Sequence, residues 1–293
     1  MNRIKSGLFI FILGVCQYSS YAQVTTLPDG VKGTKVYINE IINNYTDENA
    51  FSFDLNTTDS IAKIPLRLNI VRNIKGEAGV SVGNIENSLN VANSFFKNIG
   101  IQFFIDSVNY VNDYNYSYVT YNSNKTELLT LYRLADHVNL FLVDSINLGT
   151  YKTSTPGRTT YGFTYFPVYK DSNVIFLDKE YASGKYLTTM LGHFMGLLAT
   201  HDTVGGIEQV SEKNCDKSGD FICDTYADPN LYLQVDSTCT YTGSAKDSNG
   251  KYYVPTVANI MSDSQDNCKC VFTPLQYRRM YYYYRKYRQY LKN

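Results

Sequence analysis

The pattern of apolar and polar positions separates a weakly patterned start, residues 23–60, from a strongly patterned remainder. Alternating apolar and polar residues over 64–72 predict a half-buried β-strand. Apolar residues at helical spacing then predict a helix over 82–99, followed by a second strand at 101–106. The run at 138–143 is mostly apolar, which is typical of a strand that is buried on both faces.

The pattern continues with a short helix predicted at 127–135 and extended segments predicted at 160–167 and 173–177. Within 184–201 the apolar residues form one helical stripe that should face a core. The stripe consists of Leu187, Met190, Leu191, Phe194 and Leu198. A strand, a helix and several further strands in succession predict an α/β layer.

The end of the chain predicts a helix from residue 272, with Thr273 as its N-cap and Pro274 at its first position. This tail is basic and rich in tyrosine. We expect its tyrosine rings to pack on the domain and its basic groups to reach water. Residues 205–270, which precede it, are rich in Gly, Asp, Asn, Ser and Cys, and this composition predicts a long irregular region.

The first 22 residues predict export. Arg3 and Lys5 precede an apolar run at 7–15, and a small-residue cleavage site ends at Ala22. This order is typical of a secretory signal peptide, and the run is too short to span a bilayer. No second candidate for a transmembrane segment follows. We therefore predict a secreted protein, extracellular or periplasmic. A lipoprotein anchor at Cys16 is a minor alternative, and a buried N-terminal helix is another.

Composition and charge narrow the function classes. Of the 293 residues, 44% are hydrophobic and 18% are charged, as in globular proteins. The 27 basic and 27 acidic side chains balance, and removing residues 1–22 takes away two basic groups, so the mature charge is 25 − 27 = −2. A general nucleic-acid binder needs a basic surface, so we expect no nucleic-acid partner.

Five of the six cysteines follow the signal peptide, and all five lie in the last third of the chain. In an exported protein this clustering predicts disulfides that hold the irregular region together. A zinc knuckle is the alternative, but the one-residue gap between Cys268 and Cys270 is the wrong spacing for it. We expect the pairs Cys215–Cys239 and Cys223–Cys268, with Cys270 left over.

Residues 188–202, TTMLGHFMGLLATHD, resemble the active-site helix of the pappalysin-type metzincins, whose signature is H-E-x-x-H-x-x-G-x-x-H. Further blocks resemble the same family in the same order. They are the first strand at 64–72, the strand pair at 162–167 and 173–178, the segment GDFICDT at 219–225, the Met-turn at 259–261 with Met261, and the closing helix at 268–280. The resemblance covers residues 64–280 and implies a zinc metallopeptidase fold.

The resemblance assigns the family's functional positions one at a time. The first and third zinc-binding histidines fall on Thr189 and Ala199, and the general-base glutamate falls on Met190. The second histidine is kept as His193. The family's tyrosine two residues after the methionine of the Met-turn, which can assist the oxyanion, falls on Asp263. The framework is therefore retained, whereas most of the reacting groups are replaced.

These replacements argue against hydrolysis. Catalytic zinc needs three protein ligands and an open position, and losing a positioned base costs roughly 100- to 10,000-fold in rate. A rebuilt zinc site is the alternative, with His193, His201 and a carboxylate such as Asp202 as ligands. The resemblance also implies calcium as a candidate ion, and acidic groups at 216–228 could bind it. The residues themselves assign neither zinc nor calcium.

The predicted fold class is therefore α/β and metzincin-like. It has a twisted mixed sheet with a backing helix and an active-site helix, followed by an irregular, disulfide-stapled C-terminal subdomain that ends in a helix. The predicted divisions are a signal peptide at 1–22, an N-terminal extension or linker at 23–60, an upper subdomain at 61–204 and a lower subdomain at 205–293.

The predicted function is that of a secreted, metallopeptidase-like pseudopeptidase that lacks catalytic zinc. In the family an extended peptide pairs with an upper edge strand, and this strand is expected at 160–167 with Thr164 and Phe166 beside the ligand. One alternative is an active zinc metalloendopeptidase with displaced ligands. Another is a structural surface-interaction protein whose cleft has no ligand.

Overall fold

The structure is a computed structural model that describes residues 33–45, 61–120, 125–147, 160–168 and 173–291. The predicted signal peptide and Cys16 lie outside the described residues. Within these ranges no helix is long and apolar enough to cross a membrane.

Seven strands lie in the described ranges. They are β1 (Ala62–Val71), β2 (Ile101–Val111), β3 (Tyr118–Thr120), β4 (Val138–Val143), β5 (Ser145–Asn147), β6 (Gly162–Thr164) and β7 (Val174–Asp178). Five of them form one sheet in the order β2-β1-β4-β7-β6, and β3 and β5 form a separate parallel pair.

The large sheet is parallel except at one edge. Strands β2, β1, β4 and β7 pair in parallel, whereas β6 pairs antiparallel with β7 and occupies the edge. All six residues of β4 are buried, as expected for a strand covered on both faces. The mixed sheet therefore agrees with the α/β prediction from the strand pattern.

Five α-helices lie in the same described ranges. They are α1 (Gly33–Asn44), α2 (Val82–Phe96), α3 (Lys125–Tyr132), α4 (Tyr186–Phe194) and α5 (Pro274–Tyr283). Thr273 accepts a hydrogen bond from the Gln276 backbone, and the Gln276 side chain accepts one from the Thr273 backbone. This capping box and Pro274 confirm the predicted start of the last helix.

The core lies on both faces of the sheet. Helices α2 and α4 pack over one face, where Leu66, Leu140 and Met190 belong to the same buried cluster. On the opposite face the rings of Phe141 and Phe163 stack on Phe176, with centroid distances of 5.1 and 4.7 Å. Burying apolar surface on both faces stabilises a mostly parallel sheet, and it fixes β6 and α4 next to each other.

Helix α1 lies within residues 23–60, where the sequence predicts an extension or linker. Its residues Tyr37, Ile38 and Ile41 are buried. The Tyr37 ring stacks on Phe166 at 4.3 Å between centroids, and the Tyr37 hydroxyl donates a hydrogen bond to the Gly196 carbonyl. This short apolar stripe is surrounded by polar residues, so the sequence pattern did not predict the helix. The helix nevertheless packs on the core.

The predicted disulfide pairing was wrong, although all four expected cysteines are bonded. The pairs are Cys215–Cys223, with 5.0 Å between Cα atoms, and Cys239–Cys268, with 5.5 Å. The first pair closes a loop only eight residues long, which contains Phe221 in the left-handed region at φ 61°. This tight local turn brings Cys215 next to Cys223. The spacing of the cysteines along the chain does not predict such a turn, so it did not indicate this pair.

The basic tail also differs from the prediction, because two of its arginines are buried. Arg279 donates to the carbonyl oxygens of Asp220 and Phe221, and its guanidinium lies 4.7 Å from the centre of the Tyr45 ring. Arg288 lies over the Phe194 ring at 3.8 Å. These cations tie the last helix to the irregular region and to α4, in place of the expected contact with water.

We predict that Arg279→Met lowers the free energy of unfolding by about 3 kcal/mol, because two buried carbonyl groups lose their donor. Urea denaturation with the disulfides intact measures this change. Arg285→Met, at an exposed position of the same tail, is the matched control and should cost less than about 0.5 kcal/mol. Equal losses in the two variants would contradict the structural role of Arg279.

Candidate functional site

Helix α4 carries the residues that the family resemblance places in a metal centre. All nine of its residues are buried, although the sequence pattern predicted a single core-facing stripe. The helix ends before Gly196, whose φ of +95° favours glycine. A Cβ at Gly196 would lie 2.6 Å from the Tyr37 hydroxyl oxygen and 2.7 Å from the Tyr283 ring. The chain therefore turns sharply at this position, and Leu198 lies beyond the helix.

A tight turn at 259–262 packs against α4. The Ile260 amide donates to the Val271 carbonyl at 2.8 Å, and the Asn259 side chain forms two hydrogen bonds with Gln276, each 3.1 Å long. Met261 lies against Gly192, where a Cβ would approach its sulfur to 2.7 Å. The predicted Met261 thus lies directly against the helix.

The Thr189 hydroxyl is fully engaged in the fold. It donates to the Ile260 carbonyl at 3.0 Å and lies 3.3 Å from the Lys185 carbonyl. Only 2% of the residue is exposed. Its oxygen therefore joins α4 to the 259–262 turn, and a neutral hydroxyl used in this way is a poor zinc ligand.

The other replaced positions also lack metal-binding groups. Met190 is completely buried, and its side chain packs under Gly162 of β6. A thioether cannot accept the proton that a general base removes from water. Ala199 is half-buried and has no donor atom in its side chain. The space under β6 is therefore filled by apolar atoms.

His193 keeps one ring nitrogen without a hydrogen bond. Its Nδ1 lies 2.8 Å from the Leu197 carbonyl, which can only accept, so Nδ1 carries the proton and Nε2 has the lone pair. Burial and, to a smaller extent, the charge of Lys269 outweigh the opposing effect of the hydrogen bond to Leu197 and together lower the pKa of His193 to about 4. The imidazole is therefore neutral at physiological pH.

The structure does not assemble the rebuilt site. His201 and Asp202 are half-buried in the turn after Ala199, and the Asp202 carboxylate accepts from the Val204 amide at 2.8 Å. Asp263 is buried in the segment that follows Met261. Across the described residues, no three His, Cys, Asp or Glu side chains converge in a way that could hold a metal ion. This result covers His193, His201, Asp263 and the acidic groups at 216–228.

The catalytic zinc implied by the resemblance does not fit these donors. One imidazole nitrogen remains where three protein ligands are needed, and the other two positions present an engaged hydroxyl and a methyl group. The Thr189 hydroxyl is used within the fold, and the side chains of Met190 and Ala199 have no nitrogen or oxygen atom. The arrangement holds a neutral imidazole beside a packed helix, and these positions do not supply the three protein ligands that a catalytic zinc needs.

Strand β6 forms the rim above this helix. The Asp178 amide donates to Tyr161, and Phe163 lies opposite Phe176. In antiparallel pairing the backbone groups then alternate, so those of Gly162 and Thr164 point away from β7. The partly exposed Thr164 bonds to Val174 through its hydroxyl at 2.7 Å. No described strand pairs with this outer edge.

Phe166 connects the rim to the helix below. Its ring packs on Tyr37 of α1 and lies edge-on to His193, with 6.4 Å between ring centres. The Tyr165 carbonyl accepts a hydrogen bond from Arg288 at 3.1 Å. The sequence marked Phe166 as a ligand-side residue, but it gave no signal for the contact with α1. Phe166 therefore closes one end of the space between β6 and His193.

Comparison with known proteins places this geometry in context. No family model matches the chain. Mature mirolysin of Tannerella forsythia, solved in complex with a cleaved peptide, superposes with a TM-score of 0.52 at 16% identity and covers 76% of this chain and 91% of that chain. The chain has a metzincin-like fold. Metalloproteinase-II from Bacteroides fragilis matches with a TM-score of 0.26 at 13% identity, over 64% of this chain and 56% of that one.

A relative in sequence is an extracellular metalloprotease of Arthroderma gypseum, which is 34% identical over 134 residues. The match covers 41% of this chain and 41% of that protein, so the metzincin-like chain spans less than half of its curated relative. Fold and partial sequence likeness together show that the chain is metallopeptidase-like.

A buried glutamate in the irregular region was not anticipated from the sequence. Glu208 is 5% exposed, and neither of its carboxyl oxygens has a hydrogen-bond partner among the described residues. Burial, together with the nearby charges of Asp220, Glu212 and Asp228, raises its pKa to about 8. The folded protein therefore holds Glu208 in its protonated form at neutral pH.

We predict that Glu208→Gln stabilises the protein at pH 8. Because the folded pKa lies above the unfolded value, the folded state binds more protons between pH 4.5 and 8, and stability falls as the pH rises through this window. The gain at pH 8 should be at least about 1 kcal/mol after allowance for solvent screening, and it should vanish near pH 4.5.

Thermal denaturation across this pH range measures the effect. Glu86→Gln, at an exposed position of α2 away from Glu208, is the control and should leave the pH profile close to that of the wild type. A pH-independent change in Glu208→Gln would contradict the assignment of a neutral buried carboxyl group.

Proposed function

We propose that this chain is a pseudopeptidase, which binds an extended peptide along β6 and does not hydrolyse it. The observation that carries the proposal is that Thr189, Met190 and Ala199 present no zinc ligand or base, and that the first two are used in packing α4. The sheet and the last helix remain complete around these replaced groups.

The donor chemistry supports the loss of hydrolysis. Loss of a positioned base reduces a rate by roughly 100- to 10,000-fold even where a metal remains. Here Met190 replaces the base and the ligand set is reduced to His193. No described carboxylate joins His193 and His201 in a substitute ligand set.

The edge of β6 supports peptide binding. An exposed strand edge can accept an added strand through backbone hydrogen bonds, and such bonds need no catalytic group. The outward backbone groups of Thr164 and the outward amide of Gly162 supply this edge, whereas the Gly162 carbonyl already accepts a hydrogen bond from the Thr160 hydroxyl at 3.1 Å. Mirolysin, which has a similar fold, was solved in complex with a cleaved peptide, in agreement with a ligand of this class.

The finer placement belongs to the same proposal. We assign the chain to the pappalysin type, with export directed by residues 1–22 and a turn around Met261 equivalent to the Met-turn. We divide it into an upper part at 61–204 and a lower part at 205–293. Two disulfides in the lower part agree with an oxidising compartment, and the extracellular metalloprotease of Arthroderma gypseum agrees with secretion.

We predict that the purified mature protein contains less than about 0.1 zinc per chain and does not cleave casein when zinc is added, because one imidazole cannot hold the ion. Elemental analysis and a casein digestion assay measure both quantities. Stoichiometric zinc and casein cleavage that both disappear in His193→Ala would refute the proposal and favour the displaced-ligand enzyme.

We predict that Thr164→Pro weakens peptide binding by about tenfold or more, because it removes an outward amide from β6 but leaves the bonds between Phe163 and Phe176. The probe is an array of extended decapeptides, with affinities of the bound sequences measured by fluorescence anisotropy. Thr164→Val is the matched control, since it keeps the amide and should bind like the wild type. Absence of binding by the wild-type protein to the whole array would favour a structural protein.

A further inference from the structure

Lys269 is a buried cation that the proposed function does not use. The residue lies between Cys268 and Cys270 and has no exposed surface. Its Nζ atom has no hydrogen-bond partner among the described residues. Its backbone is fixed, because the Lys269 amide donates to the Asp266 carbonyl at 3.3 Å and the next amide donates to Ala258 at 2.7 Å. Burying an ammonium group without a hydrogen-bond partner costs free energy, so its position in the core calls for an explanation.

The elements around Lys269 are those that would surround a metal ion. Thr189 of α4 bonds to Ile260, and the Thr200 amide, directly after Ala199, donates to the Met261 carbonyl at 3.2 Å. Lys269 follows this turn in the chain, and the amides of the two residues after it bond back to Ala258. The helix, the segment after its glycine turn and the 259–262 turn thus meet beside Lys269.

The segment that carries Lys269 lies against the start of α4, because the Lys185 amide donates to the Asp266 carboxylate at 2.9 Å and the Lys185 ammonium donates to the Asp266 carbonyl at 3.0 Å. Burial lowers the pKa of Lys269, and the charges of Asp263, Asp266 and Asp228 oppose this effect, whereas Lys185 adds to it. Asp228 accepts a hydrogen bond from the Thr200 hydroxyl at 2.6 Å. After burial, Lys269 is also a cause of the lowered pKa of His193. The ammonium therefore interacts with α4, with residue 263 and with the segment at Thr200.

We infer that the Lys269 ammonium is the resident cation of this degenerate metal centre. It supplies, beside His193, the fixed positive charge that a zinc ion would supply, and it keeps divalent cations out. This inference rests on the absence of catalytic zinc in the proposed function, but it does not require that any peptide binds to β6.

The charges around Lys269 favour a cation at this position. Asp228, Asp263 and Asp266 contribute three acidic groups, Lys185 and Lys269 contribute two basic ones, and His193 is neutral. Without Lys269 the three carboxyl groups would face a single ammonium. A divalent ion placed at His193 would in turn be repelled by Lys269 where little water screens the charges. The same surplus of acidic groups argues against an anion as the ligand.

The test rebuilds the histidine ligands in two backgrounds. T189H/A199H restores three histidines beside Lys269, and T189H/A199H/K269M restores them without the ammonium. Each protein is equilibrated with zinc and analysed by elemental mass spectrometry and by the zinc-dependent shift in melting temperature. We expect less than about 0.1 zinc in the first variant and about one in the second. K269M alone is the control and should stay free of zinc.

A double-mutant cycle provides a second measurement that needs no zinc. The variants K269M, D263N and K269M/D263N are compared by urea denaturation, and the expected coupling is about tenfold or more in the folding equilibrium constant, because each charge compensates the other. Zinc bound only in the triple variant supports the inference, and full zinc occupancy in both rebuilt variants overturns it. If neither variant binds zinc, the cycle decides: tenfold coupling supports the resident cation and weaker coupling overturns it.

Failure of this inference is distinguishable from failure of the proposed function. Absence of peptide binding on the array would refute the proposed function and leave the Lys269 measurements unaffected. Conversely, full zinc occupancy of T189H/A199H would refute the role of Lys269 without restoring zinc ligands to the wild-type chain.

Discussion

The close contact between α4 and the 259–262 turn is the constraint on which the rest of this structure depends. The Thr189 hydroxyl bonds to the Ile260 carbonyl, the Thr200 amide bonds to the Met261 carbonyl, and Met261 packs on Gly192. These short-range contacts join the sheet side of the molecule to the irregular region. Hydrogen bonds and close packing hold this junction together.

The replaced residues therefore do more than remove chemistry. Met190 fills the space under Gly162, and the Thr189 hydroxyl becomes a structural link. Buried polar atoms that find partners inside the fold stabilise it, whereas an open metal site keeps some of its groups available for a ligand. Helix α4 is thus a fully buried core element.

The sequence predicted the regular parts of the fold because buried faces of strands and helices give a periodic pattern of apolar residues. The apolar run of β4 and the Thr273–Pro274 start of α5 were both recognisable in this way. Features that depend on contacts in the folded structure have no periodic pattern in the sequence. Lys269 reads as an ordinary basic residue, the Cys215–Cys223 pair depends on a local turn, and the apolar positions of α1 are too few to stand out. The sequence identified Thr189 and Met190 of α4 because a motif fixes their positions. It did not predict the contacts that these two side chains make in the fold.

The glycine at position 196 has a consequence for how such chains change over time. A side chain there would collide with two tyrosines, and the backbone adopts a conformation that other residues rarely tolerate. These requirements are steric, so they persist whether or not any reaction takes place nearby. A chain of this fold can consequently need a glycine here for packing alone, so the glycine by itself carries no information about activity.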